Sequence, residues 1–428
     1  MKEYKNRLAS RGKLIEIERS VSSNYELAAI CVEHERKGLP IFFHAVDGTH
    51  KVIMNVLGGR EILAELLGTS SKKIAPSLAE VSDSGEGGQV RIVEDSPTKE
   101  VIRAPNLGDL PILTHFRGDG GAYITAGIVV AELNGVRNAS FHRMMVLDDR
   151  HLAVRLVPPR HLYKMHRAAL ERGETLKVGI AIGVTDPVIL FAAATRVPPG
   201  REFEYASVLK KKQPVELFRL DNGVAVPHAE FALEGFIGEA RAKEGPFLDI
   251  TNTYDRIRDE PVITLTKMYH RRDPIYHAIL PSGCEHRLLM GVPYEPLIFR
   301  AVERVTRVQN VLLTEGGCCY LHAVVQINKM GEGEAKNAVI AAFAAHPSLK
   351  HVVVVDDDID IFNPDDVEYA IATRVRWNED IVLIPGVKGS SLDPSSAKDA
   401  LTTKVGIDAT KEWGEEKRYE RASYHTLS

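Results

Sequence analysis

The residues with the clearest chemical potential lie in Lys243-Glu244-Gly245-Pro246-Phe247-Leu248-Asp249. Two carboxylates flank a Gly-Pro step, where glycine takes positive φ freely and proline fixes its own φ. Such a bend can bring Glu244 and Asp249 towards one point, whereas an unbroken strand would place them on opposite faces. Two acids near a cation form an acid/base device, because proximity pushes their pKa values apart. The heptapeptide alone also fits a surface turn with two solvated acids.

Further polar groups recur along the chain. Asn138-Ala139-Ser140-Phe141-His142-Arg143, taken as a strand, puts Asn, Ser and His on one face and Ala, Phe and Arg on the other. Asn138 offers a carbonyl oxygen for a hard cation, and Arg143 a planar fork for a carboxylate. Pro158-Pro159-Arg160-His161 precedes a helix, where an anion is favoured and Arg160 and His161 could hold phosphate or metal. Glu204 opens another helical run, in Phe203-Glu204-Tyr205-Ala206; Lys404, among the small residues Thr403 to Thr410, suits phosphate or a solvated loop. Asp356-Asp357-Asp358-Ile359-Asp360 resembles the aspartate-rich magnesium site of prenyl-diphosphate synthases, but it follows four valines and so caps a strand as solvated loop acids.

The elements that must carry these groups are mixed α/β. Residues 1–115 alternate strands (Leu14–Ile17, Pro40–Phe43) with helices (Tyr25–Lys37, Glu61–Leu67) and then a Gly-rich loop from Asp83 to Gly88. That loop lacks a dinucleotide-site context and receives no phosphate role. Residues 116–305 change to short β runs (124–130, 144–147, 152–157, 262–265), interrupted by a helix over 160–172, which suggests a barrel-like domain. Residues 306–428 return to α/β, with strands 320–327, 352–355 and 380–384, helices 334–345 and 365–373, and a charged tail from Lys411.

A length of 428 residues, 26% charged and 44% hydrophobic, fits a soluble multidomain protein. A net charge of -4 without a basic stripe argues against nucleic acid, and no apolar run reaches the roughly 20 residues of a membrane span. The charged start Met-Lys-Glu-Tyr-Lys-Asn-Arg leads to no signal-type core. Cys31, Cys284, Cys318 and Cys319 have no zinc-like spacing, and the adjacent pair is expected as buried strand packing. These features fit a cytoplasmic protein.

In order, Asn138/Arg143, Arg160-His161, Glu204, Glu244/Asp249 and Lys404 resemble the UbiD-type decarboxylases, which use prenylated FMN. The family signature Glu-Gly-Pro-[Phe/Tyr]-Gly-[Asp/Glu] stands here as Glu244-Gly245-Pro246-Phe247-Leu248-Asp249. The blocks Pro227 to Ile237, Arg271 to His277 and Lys404 to Thr410 are also similar. The resemblance implies an N-terminal α/β domain, a central split β-barrel that binds flavin, and a C-terminal α/β domain. It implies a metal, Mn²⁺ or Mg²⁺, on Asn138, His161 and Glu204, and often potassium as well. Arg160, His161 and Lys404 would hold the flavin phosphate, and backbone around Phe141, His142, Arg155 and Val157 would line the cofactor. Arg143, Glu244 and Asp249 would be catalytic: Arg143 orienting the substrate carboxylate and holding Glu244 ionised, Asp249 carrying, on a raised pKa, the proton that replaces CO₂. A flavin prenyltransferase would supply the cofactor, and the assembly would be a homodimer or homohexamer.

Two departures bear on the substrate. Leu248 replaces the usual glycine, which should reshape the loop, and Ile250 to Tyr254 replaces an aromatic Gly-Tyr-Tyr. The compact length is similar to the archaeal subgroup acting on trans-anhydromevalonate 5-phosphate, a phosphorylated unsaturated acid, to give isopentenyl phosphate for isoprenoid biosynthesis. A basic pocket for that phosphate would come from Lys267, His270, Arg271 or Arg272. The alternatives are an aromatic or heteroaromatic acid such as 3-polyprenyl-4-hydroxybenzoate, and a non-catalytic flavin scaffold.

Overall fold

The computed structural model describes residues 1–81 and 84–422. It divides into two compact units, one of residues 1–71 and 81–289, the other of residues 72–80 and 290–428. Asp83 and the end of the tail from Ser423 fall outside the described residues. Among the described residues no helix is long and apolar enough to cross a membrane.

The first unit is built around a nine-stranded antiparallel sheet. From one end its strands are Tyr123–Ile124, Met144–Val146, His151–Val154, Arg258–His270, Ala229–Glu244, Leu176–Val184, Ile128–Leu133 and Val136–Phe141, with Val101–Arg103 added beside Arg258–His270. The long pair Ala229–Glu244 and Arg258–His270 is its spine. The pairing begins at Phe231 opposite His270 and ends at Glu244 opposite Arg258, with two register shifts on the way. Ile180, Ile182, Leu233 and Ile263 are fully buried in the core beneath the sheet. Each contributes about 1.5–3 kcal/mol by leaving water. A second sheet, in the order Ile15–Val21, Ile41–Val46, His50–Met54 and Ile275–His277, contributes Ile41, Phe43 and Val52 to the same core.

Several expected elements are cut differently. The 124–130 run is two strands, Tyr123–Ile124 and Ile128–Leu133, in different places of the sheet. Thr125 leaves the ladder to accept the Ile279 N–H through its hydroxyl at 2.9 Å. The 152–157 run stops at Val154, and the Leu156 N–H turns to the Glu260 carboxylate at 3.3 Å. Helix His161–Leu170 lies where the 160–172 helix is expected.

The second unit has a five-stranded sheet in the order Arg307–Leu313, His322–Asn328, His351–Asp356, Leu401–Ala409 and Ile381–Lys388. Its central pairings are parallel and its edges antiparallel. Val352 to Val355 are buried on both faces, as their unbroken apolar run requires. Lys404 belongs to a strand, not to a loop. Cys318 and Cys319 are not strand residues: they form a half-buried turn with φ of 58° and 52°. The aspartate run caps the strand end as expected, with Asp357, Asp358 and Asp360 exposed, but several of its acids are also paired. Arg374 donates to Asp356 at 2.8 Å and to both oxygens of Asp358 at 3.0 and 2.8 Å, and Lys411 approaches Asp358 to 2.9 Å. These acids stand at the end of a strand and not one turn apart on a helix, so they do not reproduce the magnesium site of the prenyl-diphosphate kind.

Candidate active site

The chain brings Arg143, Glu244 and Asp249 together, as the sequence led us to expect, but from an unexpected backbone. The strand ends at Phe141, so His142 and Arg143 form a link to the next strand and escape its alternation. Glu244 is the last residue of the long strand. Gly245 then turns the chain at φ +101°, a conformation that needs glycine. Phe247–Leu248 runs out and Tyr254–Asp255 runs back as a two-stranded ribbon, with Phe247 opposite Asp255 and Leu248 opposite Tyr254. Leu248 is buried there, so the residue that departs from the family signature anchors the ribbon.

The Arg143 guanidinium is shared by three carboxylates. Its Nε and Nη2 donate to the two Glu244 oxygens at 2.9 and 3.0 Å, Nη1 to Asp249 at 3.1 Å, and Nη2 to Asp255 at 2.9 Å. Glu244 is wholly buried, Arg143 is 11% exposed and Asp249 14%. Burial acts to lower the Arg143 pKa, but Glu244 and then the two aspartates outweigh it and hold the guanidinium above its ordinary value. Burial acts to raise Asp255, yet the hydrogen bond from Arg258 and the charge of Arg143 keep it below the usual carboxylate range. The Phe247 ring lies 4.8 Å under the guanidinium carbon and packs in turn against Tyr123, with ring centroids 4.6 Å apart and planes tilted by 54°.

A loop from Phe116 to Gly121 fastens the acid turn. Gly120 N–H donates to the Pro246 carbonyl at 2.8 Å, and a Cβ on Gly120 would stand 2.2 Å from the Gly245 oxygen. Asp119 accepts N–H bonds from Phe116 at 2.9 Å and Leu248 at 3.3 Å, and burial raises its pKa. His286, at the start of helix Cys284–Gly291, feels the charges of Asp249 and Arg143, and burial lowers its pKa. Asp255, Arg258 and Asp119 were not singled out from the sequence. The signal that could have found Asp255 is Asn252, whose φ of +59° marks the return of the ribbon.

A second polar chain leads to Asn138. The Arg155 carbonyl can only accept, so His142 Nδ1 donates to it, at 2.9 Å. His142 Nε2 then accepts from the Ser140 hydroxyl at 2.9 Å, and Ser140 Oγ accepts from Asn138 Nδ2 at 2.9 Å. Burial drives the His142 pKa down to about 4, so the ring is neutral and the donor order is fixed. Asn138, buried on its strand, is thereby locked with its nitrogen towards Ser140 and its carbonyl oxygen turned away, as a cation ligand must be. Glu204 sits in the first turn of helix Glu202–Leu209 and receives Arg137 Nη2 at 3.3 and 3.4 Å. His161 begins its helix after Arg160, and burial, Lys164 and Arg196 lower its pKa towards the neutral imidazole a metal needs. One amide oxygen, one carboxylate and one neutral imidazole could together hold Mn²⁺, which accepts nitrogen beside oxygen more readily than the harder Mg²⁺ does.

Lys404 is in the second unit, its ammonium bonded to the Pro347 carbonyl and 5.1 Å over the Phe343 ring; burial lowers its pKa to about 8. The Arg155 guanidinium is held by Glu260 at 2.6 Å. Lys267, His270, Arg271 and Arg272 do not form a basic pocket at the acid turn. Lys267 is nine residues along the strand from Arg258, about 30 Å at the usual rise, and it pairs with Asp221; Arg271 approaches Glu230 at 3.7 Å.

The fold is that of a known class, a mixed α/β chain of N-terminal, central and C-terminal domains: the chain belongs to the UbiD family. The models of the 3-octaprenyl-4-hydroxybenzoate carboxy-lyase N-terminal, Rift-related and C-terminal domains match residues 6–81, 91–284 and 287–409. It is 58% identical, over 98% of both chains, to the anhydromevalonate phosphate decarboxylase of Methanosarcina mazei. Among solved structures it is similar to the UbiD-class enzyme HmfF from Pelotomaculum thermopropionicum in complex with FMN, at 37% identity and a TM-score of 0.94, covering 100% of this chain and 97% of that one. An evolved dimeric form of HmfF in complex with prFMN gives a TM-score of 0.89 at 36% identity, covering 99% and 96%.

Proposed function

We propose that the chain is a non-oxidative carboxy-lyase that converts trans-anhydromevalonate 5-phosphate to isopentenyl phosphate and CO₂ with prenylated FMN. The observation that carries the chemistry is the Arg143 guanidinium, bracketed by buried Glu244 and the more exposed Asp249. The relative in Methanosarcina mazei, similar along nearly the whole chain, supports the choice of substrate.

Four of the five Arg143 N–H donors are used within the described residues. The fifth, on Nη1 beside Asp249, donates to the substrate carboxylate. Glu244 keeps the guanidinium plane fixed through its two bonds from Nε and Nη2. Prenylated FMN, when bound, supplies the electron sink for the carbon that loses CO₂. The bond to the carboxyl carbon breaks, its electron pair stays on the substrate, and Asp249 delivers one proton to that carbon. Asn138, His161 and Glu204 would hold Mn²⁺ or Mg²⁺, with Arg160 and His161 towards the flavin phosphate and the backbone around Phe141, His142, Arg155 and Val157 lining the cofactor. The nine-stranded sheet would then be the split β-barrel of a flavin domain spanning residues 116–305, in a homodimer or homohexamer.

The test is CO₂ release by protein co-produced with a flavin prenyltransferase, from trans-anhydromevalonate 5-phosphate beside a panel of unphosphorylated unsaturated and aromatic acids. Release from the phosphorylated acid alone is expected. Release from an aromatic acid alone would overturn the substrate, and none from any acid, with the modified flavin seen in the spectrum, would overturn the reaction.

A further inference from the structure

The acid turn holds three carboxylates but Arg143 is one cation. The balance is completed by Arg258, which opens the strand after the ribbon, lies opposite Glu244 in the ladder and donates to the Asp255 oxygen that also takes Arg143 Nη2. Two guanidiniums therefore face three acids. Their hold is unequal. Glu244 takes two bonds from Arg143. Asp255 takes one from each arginine and a third from the Arg256 N–H at 2.9 Å. Asp249 takes a single bond from Arg143, besides the Ile250 N–H at 2.7 Å, and is the most exposed of the three. Charge-assisted bonds stabilise the ionised acid.

We propose that Asp255 and Arg258 form a second ion pair of the active site, which sets the charge around Arg143 so that Asp249, and neither of the other acids, exchanges the proton. Glu244 and Asp255 are matched one for one by Arg143 and Arg258, and the charge left over falls on Asp249. Asp255 and Arg258 are positioning residues: the proton passes through neither. The other groups around Asp249 leave this balance intact. His286 is held neutral by burial. Arg287 donates to the Ser282 hydroxyl at 3.1 Å. Asp119 is turned to the amides of Phe116 and Leu248. The Tyr123 hydroxyl is kept protonated by burial and by Glu244.

The two members of the pair act on Asp249 with opposite sign. Asp255→Asn removes a negative charge, so Asp249 ionises more readily and the alkaline limb of the kcat profile moves down by about one pH unit. Arg258→Gln removes a positive charge and moves that limb up by a similar amount. The double variant returns it towards the original, and Asp255→Glu, which keeps the charge, leaves it in place. The kinetic readout rests on the decarboxylase reading, so a second readout avoids it: the infrared carbonyl stretch of protonated carboxyls, followed against pH in the apoprotein and assigned by its loss in Asp249→Asn. Opposite shifts of that band in the two variants are expected. A common direction, or a lower rate with unmoved limb and band, would overturn the proposal and leave Asp255 as scaffolding. Opposite infrared shifts in a protein that decarboxylates none of the acids would uphold the pair and remove the reaction instead. Where Asp255→Asn does not fold, Arg258→Gln alone carries the test, and an unmoved or lowered band then overturns it.

Discussion

Replacing Arg143 by lysine keeps the positive charge and removes the fork. The guanidinium makes four hydrogen bonds to three carboxylates, and an ammonium has three donors radiating from one atom. At least one of the four bonds is lost, and the grip of two separate nitrogens on Glu244, which has no access to water, is broken. Charge-assisted bonds are worth about 1.5–3 kcal/mol each, and partial retention of the ion pairs offsets some of that, so the apoprotein should lose about 3 kcal/mol in urea unfolding at neutral pH. The fifth donor, assigned to the substrate carboxylate, also disappears. Loss of that contact together with the fixed plane amounts to about 3–4 kcal/mol in the transition state, or about 10²–10³ in kcat/KM, at 1.36 kcal/mol per tenfold. The assay is CO₂ release from trans-anhydromevalonate 5-phosphate by holoprotein with its flavin content measured. An R143K protein within threefold of the original, with full flavin, would refute the reasoning, because a point charge would then suffice.

Gly120→Ala should abolish activity and lower stability, since its Cβ would meet the Gly245 backbone oxygen at 2.2 Å and neither backbone can yield cheaply; thermal unfolding and CO₂ release together check it. Ser140→Ala breaks the chain that orients Asn138 and should weaken Mn²⁺ binding about 10- to 100-fold in calorimetric titration. His115 is buried, both ring nitrogens lack partners, and burial lowers its pKa to about 3. A lowered histidine pKa favours the neutral ring in the folded state. Its contribution is therefore complete above an unfolded value of about 6.5 and is lost as pH falls towards the folded one, by up to about 5 kcal/mol. His115→Leu should flatten the acid side of a stability-against-pH curve measured by denaturant unfolding.

Much of this was legible because the chemistry is local in sequence. Glu244, Gly245, Pro246 and Asp249 declare a turn with two acids, and the valine run 352–355 declares a buried strand. Arg143 was assigned its partners through family resemblance, since nothing in its own hexapeptide points across the chain; the strand alternation placed it on the wrong backbone, because the strand ends two residues earlier. Asp255 escaped notice because Thr251, Asn252 and Thr253 look like linker, and only the folded ribbon sets Asp255 opposite Phe247. The basic residues 267–272 were offered as phosphate ligands by charge alone, and an extended strand carries charge away from a site as efficiently as it carries it there. The loop reading of Lys404 fails because Leu401–Ala409 is a strand paired on both sides, a pairing that the small residues around the lysine do not announce.

The order in which the chain is made gives the arginine cluster another meaning. Arg143 is joined to its three acids across 101, 106 and 112 residues, whereas the acids themselves fall within one short stretch. On a growing polypeptide the arginine emerges first and waits, hydrated, for partners not yet synthesised. The acid ribbon, once made, neutralises Asp255 locally through Arg258, while Glu244 and Asp249 depend on the arginine made long before. Contacts of such long sequence separation form late in folding, so this cluster acts as a latch on a nearly finished unit and not as a nucleus. Its loss should open the folded protein faster while leaving the rate of its formation almost untouched.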